Sequence, residues 1–111
     1  MSNTSIIIKG VITADTVINA VTRVTGIGRK RILSDSRLWP VVEARMISVL
    51  VLNSLGLVDM KIAWILKRGR SSVCKSRHTA KNLLEYSKTF QNKFQKVQSI
   101  INNINPRQNG L

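Results

Sequence analysis

The chain has 111 residues, 43% of them hydrophobic, so its length suits a single domain with one core. Eighteen lysines and arginines face five acidic residues, which gives a formal net charge of +13. Such an excess of positive charge attracts phosphate-rich polymers at long range. The composition therefore leaves three classes of partner, namely nucleic acid, an anionic membrane surface or an acidic protein.

Several classes of protein are disfavoured. Cys74 is the single cysteine, which excludes an internal disulfide and indicates a reducing compartment. The most apolar stretch, residues 46–58, is too short to cross a bilayer. The apolar run at residues 6–8 lacks the preceding basic residues and the length of a signal peptide. The sequence thus predicts a soluble, cytoplasmic protein with no membrane partner.

The first part of the chain predicts an N-terminal arm and the start of a helical domain. Residues 1–12 are expected to form a loose arm or a short extended piece. Thr13 can cap the free N–H groups of a first helix, and Gly26 is typical of a helix end. Residues 28–33 predict a short helical turn with basic side chains at positions 29–31.

A long central helix and a shorter one are predicted next. Ser36 can cap the central helix, and Pro40 is tolerated only near its first turn, so the helix begins near residues 37–39. Its wide apolar surface indicates a central position, and Gly56 ends it. Asp59 can cap the shorter helix, whose apolar residues continue to position 66.

The C-terminal part predicts two helices or one bent helix. A basic turn at residues 67–70 leads into a helix that begins at Ser71 or Ser72, and the apolar pattern changes phase around residues 87–89. A second apolar stripe follows, at Phe90, Phe94, Val97, Ile101 and Ile104. We expect this stripe to pack on the core, and a weak homodimer through the same helix is the alternative.

These elements predict an all-α, compact domain of five or six helices. The domain proper spans residues 13–87, and residues 88–111 form the C-terminal helix and a frayed tail. We expect Trp39 and Trp64 to anchor the core, and Cys74 to be a small, half-buried side chain.

Residues 59–76 fit the spacing of a helix-turn-helix. This motif needs a small residue where its two helices cross, and apolar residues that hold the second helix against the first. Ala63 is the small residue, Leu66 closes the first helix, and Val73 is expected to face inward. The turn comes from Arg68 and Gly69.

The charge pattern of the same segment predicts binding to duplex DNA. Residues 60–84 include seven lysines and arginines and no acidic residue, whereas a solvated helix without a polyanionic partner normally interleaves acids. The second helix would present its basic residues near an N-terminus whose unpaired N–H groups suit a phosphate oxygen.

The chain resembles the C-terminal, duplex-binding domain of the bacterial replication initiator DnaA, whose helix-turn-helix belongs to the Trp-repressor-like group. The resemblance covers residues 12–84 and is carried by four segments, Ile12-Thr13, Gly26-Ile27, Ala44-Arg45-Met46 and residues 68–73. It implies that Arg45 reaches into the minor groove beside the major-groove helix.

The family reads DNA with a segment of the form Arg-Asp-His-(Ser/Thr)-Thr-Val. Here Gly69 and Arg70 stand in place of the Asp and His, and one residue of the turn is missing. Arg70 could instead bind guanine bidentately or bind a phosphate. The complete set of predicted DNA-binding residues is Arg45, Lys67, Arg68, Arg70, Ser71, Ser72, Lys75, Arg77 and Lys30.

The predicted function is therefore sequence-preferring DNA binding, linked to replication, to its regulation or to a mobile element. An enzyme is not expected, because the acids are scattered and no nucleophile with a base can be assembled. No cofactor or metal is expected, since His78 has no second ligand at metal spacing. The alternative is a small adaptor or inhibitor with an acidic protein partner. A membrane-surface helix at residues 90–104 has few cations to support it.

Overall fold

The computed structural model describes residues 6–104, apart from the side chain of Lys9. Its elements in chain order are β1 (Ile7–Lys9), β2 (Ile12–Thr13), α1 (Ala14–Thr25), α2 (Arg29–Ile32), α3 (Trp39–Ser54), α4 (Asp59–Leu66), α5 (Arg70–Tyr86) and α6 (Lys88–Ile104). The predicted all-α class is confirmed, with six helices among the described residues.

The N-terminal segment forms a small antiparallel hairpin that leads directly into α1. Ile7 lies opposite Thr13 in the β1–β2 pair, so the predicted arm is an extended piece where it is described. Thr13 caps α1 as predicted: the Thr16 N–H donates to its Oγ1 at 3.2 Å, and the Thr13 N–H donates to Thr16 Oγ1 at 3.2 Å. Gly26 ends the helix with a φ of 79°, a conformation that favours glycine.

The central position of α3 is confirmed. This helix packs against all five other helices and is buried over most of its length. Pro40 lies in its first turn, where a missing N–H has no cost to the helix. The helix begins at Trp39, and its capping residue is Leu38 in place of the predicted Ser36, whose Oγ accepts from the N–H of Leu38.

The two C-terminal helices are separate, because Ser87 leaves the helical conformation between α5 and α6. The predicted packing of α6 on the core is confirmed: it contacts α1, α3 and α5 and buries Phe90, Val97 and Ile101. The predicted frayed tail lies outside the described residues. Between residues 6 and 104, no helix combines the length and the apolar character needed to cross a membrane.

Three further local predictions are wrong. Trp39 and Trp64 are 53% and 51% exposed, so neither anchors the core. Trp39 opens α3 before its buried run begins at Val41, and Trp64 lies on the face of α4 that points away from the buried residues. The capping position of α4 is Val58, and Asp59 is the first helical residue. Helix α5 begins at residue 70, before the two predicted serines.

Candidate nucleic-acid interface

Helices α4 and α5 pack against each other and are joined by three residues, 67–69. Lys67 adopts a left-handed conformation, with a φ of 57°, and the Arg68 N–H donates to the Ala63 carbonyl oxygen at 2.9 Å. Ala63 and Val73 are both buried, 6% and 2% exposed. The small residue and the inward-facing valine thus occupy the places that the sequence pattern predicts for them.

One face of α5 is lined by polar and basic side chains. Arg70, Ser71, Cys74, Lys75 and His78 border a shallow depression of about 280 Å³. Because an α-helix has 3.6 residues per turn, positions 70, 74 and 78 fall on one stripe, with 71 and 75 beside it. We call this surface the α5 face, and its Arg70, Ser71, Lys75 and His78 are exposed.

The α5 face also includes the N-terminus of its helix. Gly69 is the capping residue and supplies no side-chain hydrogen bond, so no side chain from the cap satisfies the first N–H groups of α5. Ser72 and Lys67, which lie within three residues of Arg70 in the sequence, are also exposed. The face therefore presents hydrogen-bond donors and positive charge together, which suits an anionic ligand.

Arg77, for which the sequence predicts a DNA contact, follows Arg70 by seven residues and so lies on the same stripe of α5, but its guanidinium is turned to Asp59. Its Nε and Nη2 each donate to one carboxylate oxygen of Asp59 at 2.8 Å, and its Nη2 lies 3.8 Å from Cys74 Sγ. The hydrogen bonds from Arg77 hold the pKa of Asp59 below its usual value. Arg77 therefore ties α5 to the start of α4, and its predicted role is corrected accordingly.

Arg45 is engaged inside the fold, which argues against its predicted minor-groove contact, and that contact stays a prediction. The residue is 6% exposed. Its Nε donates to the carbonyl oxygen of Ile32 at 3.0 Å, its Nη2 to that of Ser34 at 2.7 Å and its Nη1 to that of Ser36 at 3.2 Å. Burial lowers the pKa of Arg45, and the positive charge of Arg68 lowers it further. Through these three hydrogen bonds, the Arg45 side chain fixes the loop that precedes α3.

Arg68 and Lys30, both predicted to bind DNA, lie outside the α5 face. Arg68 is half-buried, and its Nη1 donates to the Ser34 carbonyl oxygen at 3.1 Å, so Arg45 and Arg68 share one acceptor. Lys30 is exposed on the short helix α2, whose Arg29 forms an ion pair with Asp15. Of the predicted set, the structure brings together Arg70, Ser71 and Lys75 on the α5 face, while Lys67 and Ser72 are exposed within three residues of Arg70 in sequence.

Two residues of the α5 face were missing from the predicted set, Cys74 and His78. Both lie one or two turns after Arg70, at a spacing of four residues. That spacing was visible in the sequence and could have identified them, because side chains four apart lie on one helix face.

No family model, curated protein or solved structure matches this chain. The interpretation of the α5 face therefore depends on its own chemistry.

Proposed function

We propose that the protein binds duplex DNA as a helix-turn-helix, with α4 as the first helix and α5 as the helix that enters the major groove. The observation that carries this proposal is the exposed α5 face, where Arg70 and Lys75 form no ion pair among the described residues, and where Asp59, whose charge acts on Arg70, is bonded to Arg77 instead. In helix-turn-helix proteins the N-terminal residues of the second helix contact base edges, and basic residues around it contact phosphates.

The distribution of the acids supports the proposal. Three of the five acids are paired, Asp15 with Arg29, Asp59 with Arg77 and Glu43 with Lys93. None of these pairs includes a cation of the α5 face, and Asp59, whose charge also acts on Arg70, is bonded to Arg77 instead. The resemblance to the DnaA domain stays a prediction, as does a role in replication, its regulation or a mobile element.

A salt titration tests the proposal. If Lys67 and Lys81 each neutralise one phosphate, the logarithm of the affinity for a fluorescent duplex should fall with the logarithm of salt at a slope of roughly −1.8 or steeper. Replacing Lys67 and Lys81 together by alanine should make the slope less steep by about 1.8, because two released counterions are lost.

The matched control is the double variant Lys88→Ala with Lys96→Ala. Both lysines are exposed on α6, and their removal lowers the net charge by the same amount. We expect this control to bind DNA nearly as the unchanged protein does. A flat salt response, or an equal loss in both double variants, would contradict the proposal.

A second candidate function is binding to an acidic protein, and a specific surface favours it. Val58, Met60 and Trp64 are 66%, 68% and 51% exposed and, with Lys61, border an open groove of about 440 Å³ on α4. The Lys61 Nζ lies 5.1 Å from the centre of the Trp64 ring. Apolar side chains beside a cation suit an acidic, amphipathic segment of a partner.

The two candidates can be separated with a synthetic acidic amphipathic helix as a probe. The second candidate predicts that this peptide binds saturably, that a scrambled peptide does not, and that Trp64→Glu abolishes the binding. Absence of saturable peptide binding in a protein that shows the salt slope above would exclude it.

A further inference from the structure

We infer that the α5 face selects guanine in the major groove, with Arg70 as the principal reader and Lys75 as the second. This inference rests on the proposed function and adds to it the class of base that the site recognises. It is based on two features of this face: it contains cationic side chains that only donate hydrogen bonds, and it lacks amide and carboxylate side chains.

The two cationic side chains of the α5 face can only donate hydrogen bonds. Arginine carries five N–H donors and lysine three, and neither side chain has an acceptor. Guanine presents two acceptors in the major groove, O6 and N7, which match the fork of an arginine. Arg70 is exposed in the first turn of α5, where a recognition helix contacts base edges.

The side chains that read the other bases bidentately are missing from this part of the helix. Adenine is read by asparagine or glutamine, and the cytosine amine by aspartate or glutamate. Residues 70–81 contain none of these four residue types. The first is Asn82, which lies about 18 Å along the helix from Arg70 at the usual rise per residue. The carboxylate of Asp59 is held by Arg77.

The remaining polar groups on this side of α5 discriminate little between bases. The hydroxyls of Ser71 and Ser72 can donate or accept, and a neutral His78 has one donor and one acceptor. Each can form single hydrogen bonds with several bases, whereas a bidentate pair rejects the wrong base. Lys75 lies about 7.5 Å beyond Arg70 along the axis, so the two cations would reach different base pairs.

The decisive experiment compares duplexes that differ in one acceptor atom. A bound duplex is first selected from a random pool, and its guanines are then replaced one at a time by 7-deazaguanine, which lacks the N7 acceptor but still pairs with cytosine. We expect the selected sequences to share guanine at a fixed position, and replacement of that guanine to weaken binding by about 5-fold or more, the lower end of the range for a bidentate contact, because N7 is lost while O6 remains.

Variants assign the contact to a side chain. Arg70→Ala should bind the normal and the 7-deazaguanine duplex equally, because the reader of N7 is gone. The control Lys96→Ala, on α6, should keep the full difference between the two duplexes. Circular dichroism of both variants checks that the fold is retained.

The outcomes separate this inference from the proposed function. Salt-dependent DNA binding with no guanine in the selected motif, or with no effect of 7-deazaguanine, would overturn the inference and leave DNA binding in place. Sensitivity to 7-deazaguanine that persists in Arg70→Ala would likewise remove Arg70 as the reader. Loss of any salt-dependent binding to duplex DNA would overturn both.

Discussion

Replacing Arg45 by methionine keeps an unbranched side chain but removes the donors that now bond to the carbonyl groups of Ile32, Ser34 and Ser36. Hydrogen bonds that involve a charged group contribute about 1.5–3 kcal/mol each. The Ser34 carbonyl oxygen still accepts a hydrogen bond from Arg68 in the variant. The carbonyl oxygens of Ile32 and Ser36 have no second arginine to replace the lost bond. The substitution also removes a desolvated positive charge, which offsets part of the loss.

We therefore expect the Arg45→Met variant to lower the free energy of unfolding by about 3 kcal/mol. For a domain of this size the corresponding decrease in Tm is about 12 °C. Thermal unfolding followed by far-ultraviolet circular dichroism measures it. The matched control is Arg37→Met, which removes an exposed arginine from the neighbouring loop and should change stability by less than about 0.5 kcal/mol.

A DNA-binding measurement on the same variants completes the test. If Arg45 is structural, Arg45→Met should bind DNA with little change at a temperature where it is fully folded. An unchanged Tm together with a large loss of affinity would show that the side chain contacts DNA, and the reasoning from its burial would be refuted.

Three further predictions concern stability. Phe90→Ala, which empties a fully buried site on α6, should cost about 3–5 kcal/mol by chemical denaturation, whereas Tyr86→Ala, at a side chain 84% exposed, should cost almost nothing. The hydrogen bonds from Arg77 lower the pKa of Asp59 in the folded state, so the charged carboxylate stabilises the fold above pH 3.8, and this stabilisation is lost as the pH falls below that value. Asp59→Asn should therefore reduce Tm at neutral pH and much less in acid. An equal reduction of Tm at both pH values would contradict this prediction. Lys67→Gly should be more stable than Lys67→Ala by about 1 kcal/mol, since position 67 has a positive φ, while both variants should lose DNA affinity equally.

The parts of the fold that local rules determine could be predicted from the sequence. Thr13, Gly26 and Pro40 act on the few residues next to them, through capping hydrogen bonds or a fixed φ, so they locate helix ends without knowledge of the tertiary structure. The apolar stripe beginning at Phe90 likewise predicted which face of α6 is buried. These features depend on short sequence distances.

The roles of the arginines could not be predicted in the same way. Arg77 pairs with Asp59, 18 positions earlier, and Arg45 bonds to carbonyl groups 9 to 13 positions earlier. The sequence does not show which backbone carbonyl groups will accept these bonds, because every residue has a carbonyl group. A resemblance that assigned Arg45 to DNA therefore placed a buried side chain on the surface. Arg70 and Lys75 are exposed, as a basic segment without acids of its own suggests, and their contact with DNA stays a prediction.

The exposure of both tryptophans has a practical consequence for spectroscopy. Trp39 and Trp64 are already half in contact with water in the folded protein, so their fluorescence should change little when the core melts. Unfolding is better followed through the backbone signal. The indole of Trp64, on the outward side of α4 beside Lys61, is instead placed to report on molecules that cover this helix. Quenching or a shift of its emission would reveal a bound partner without any added label.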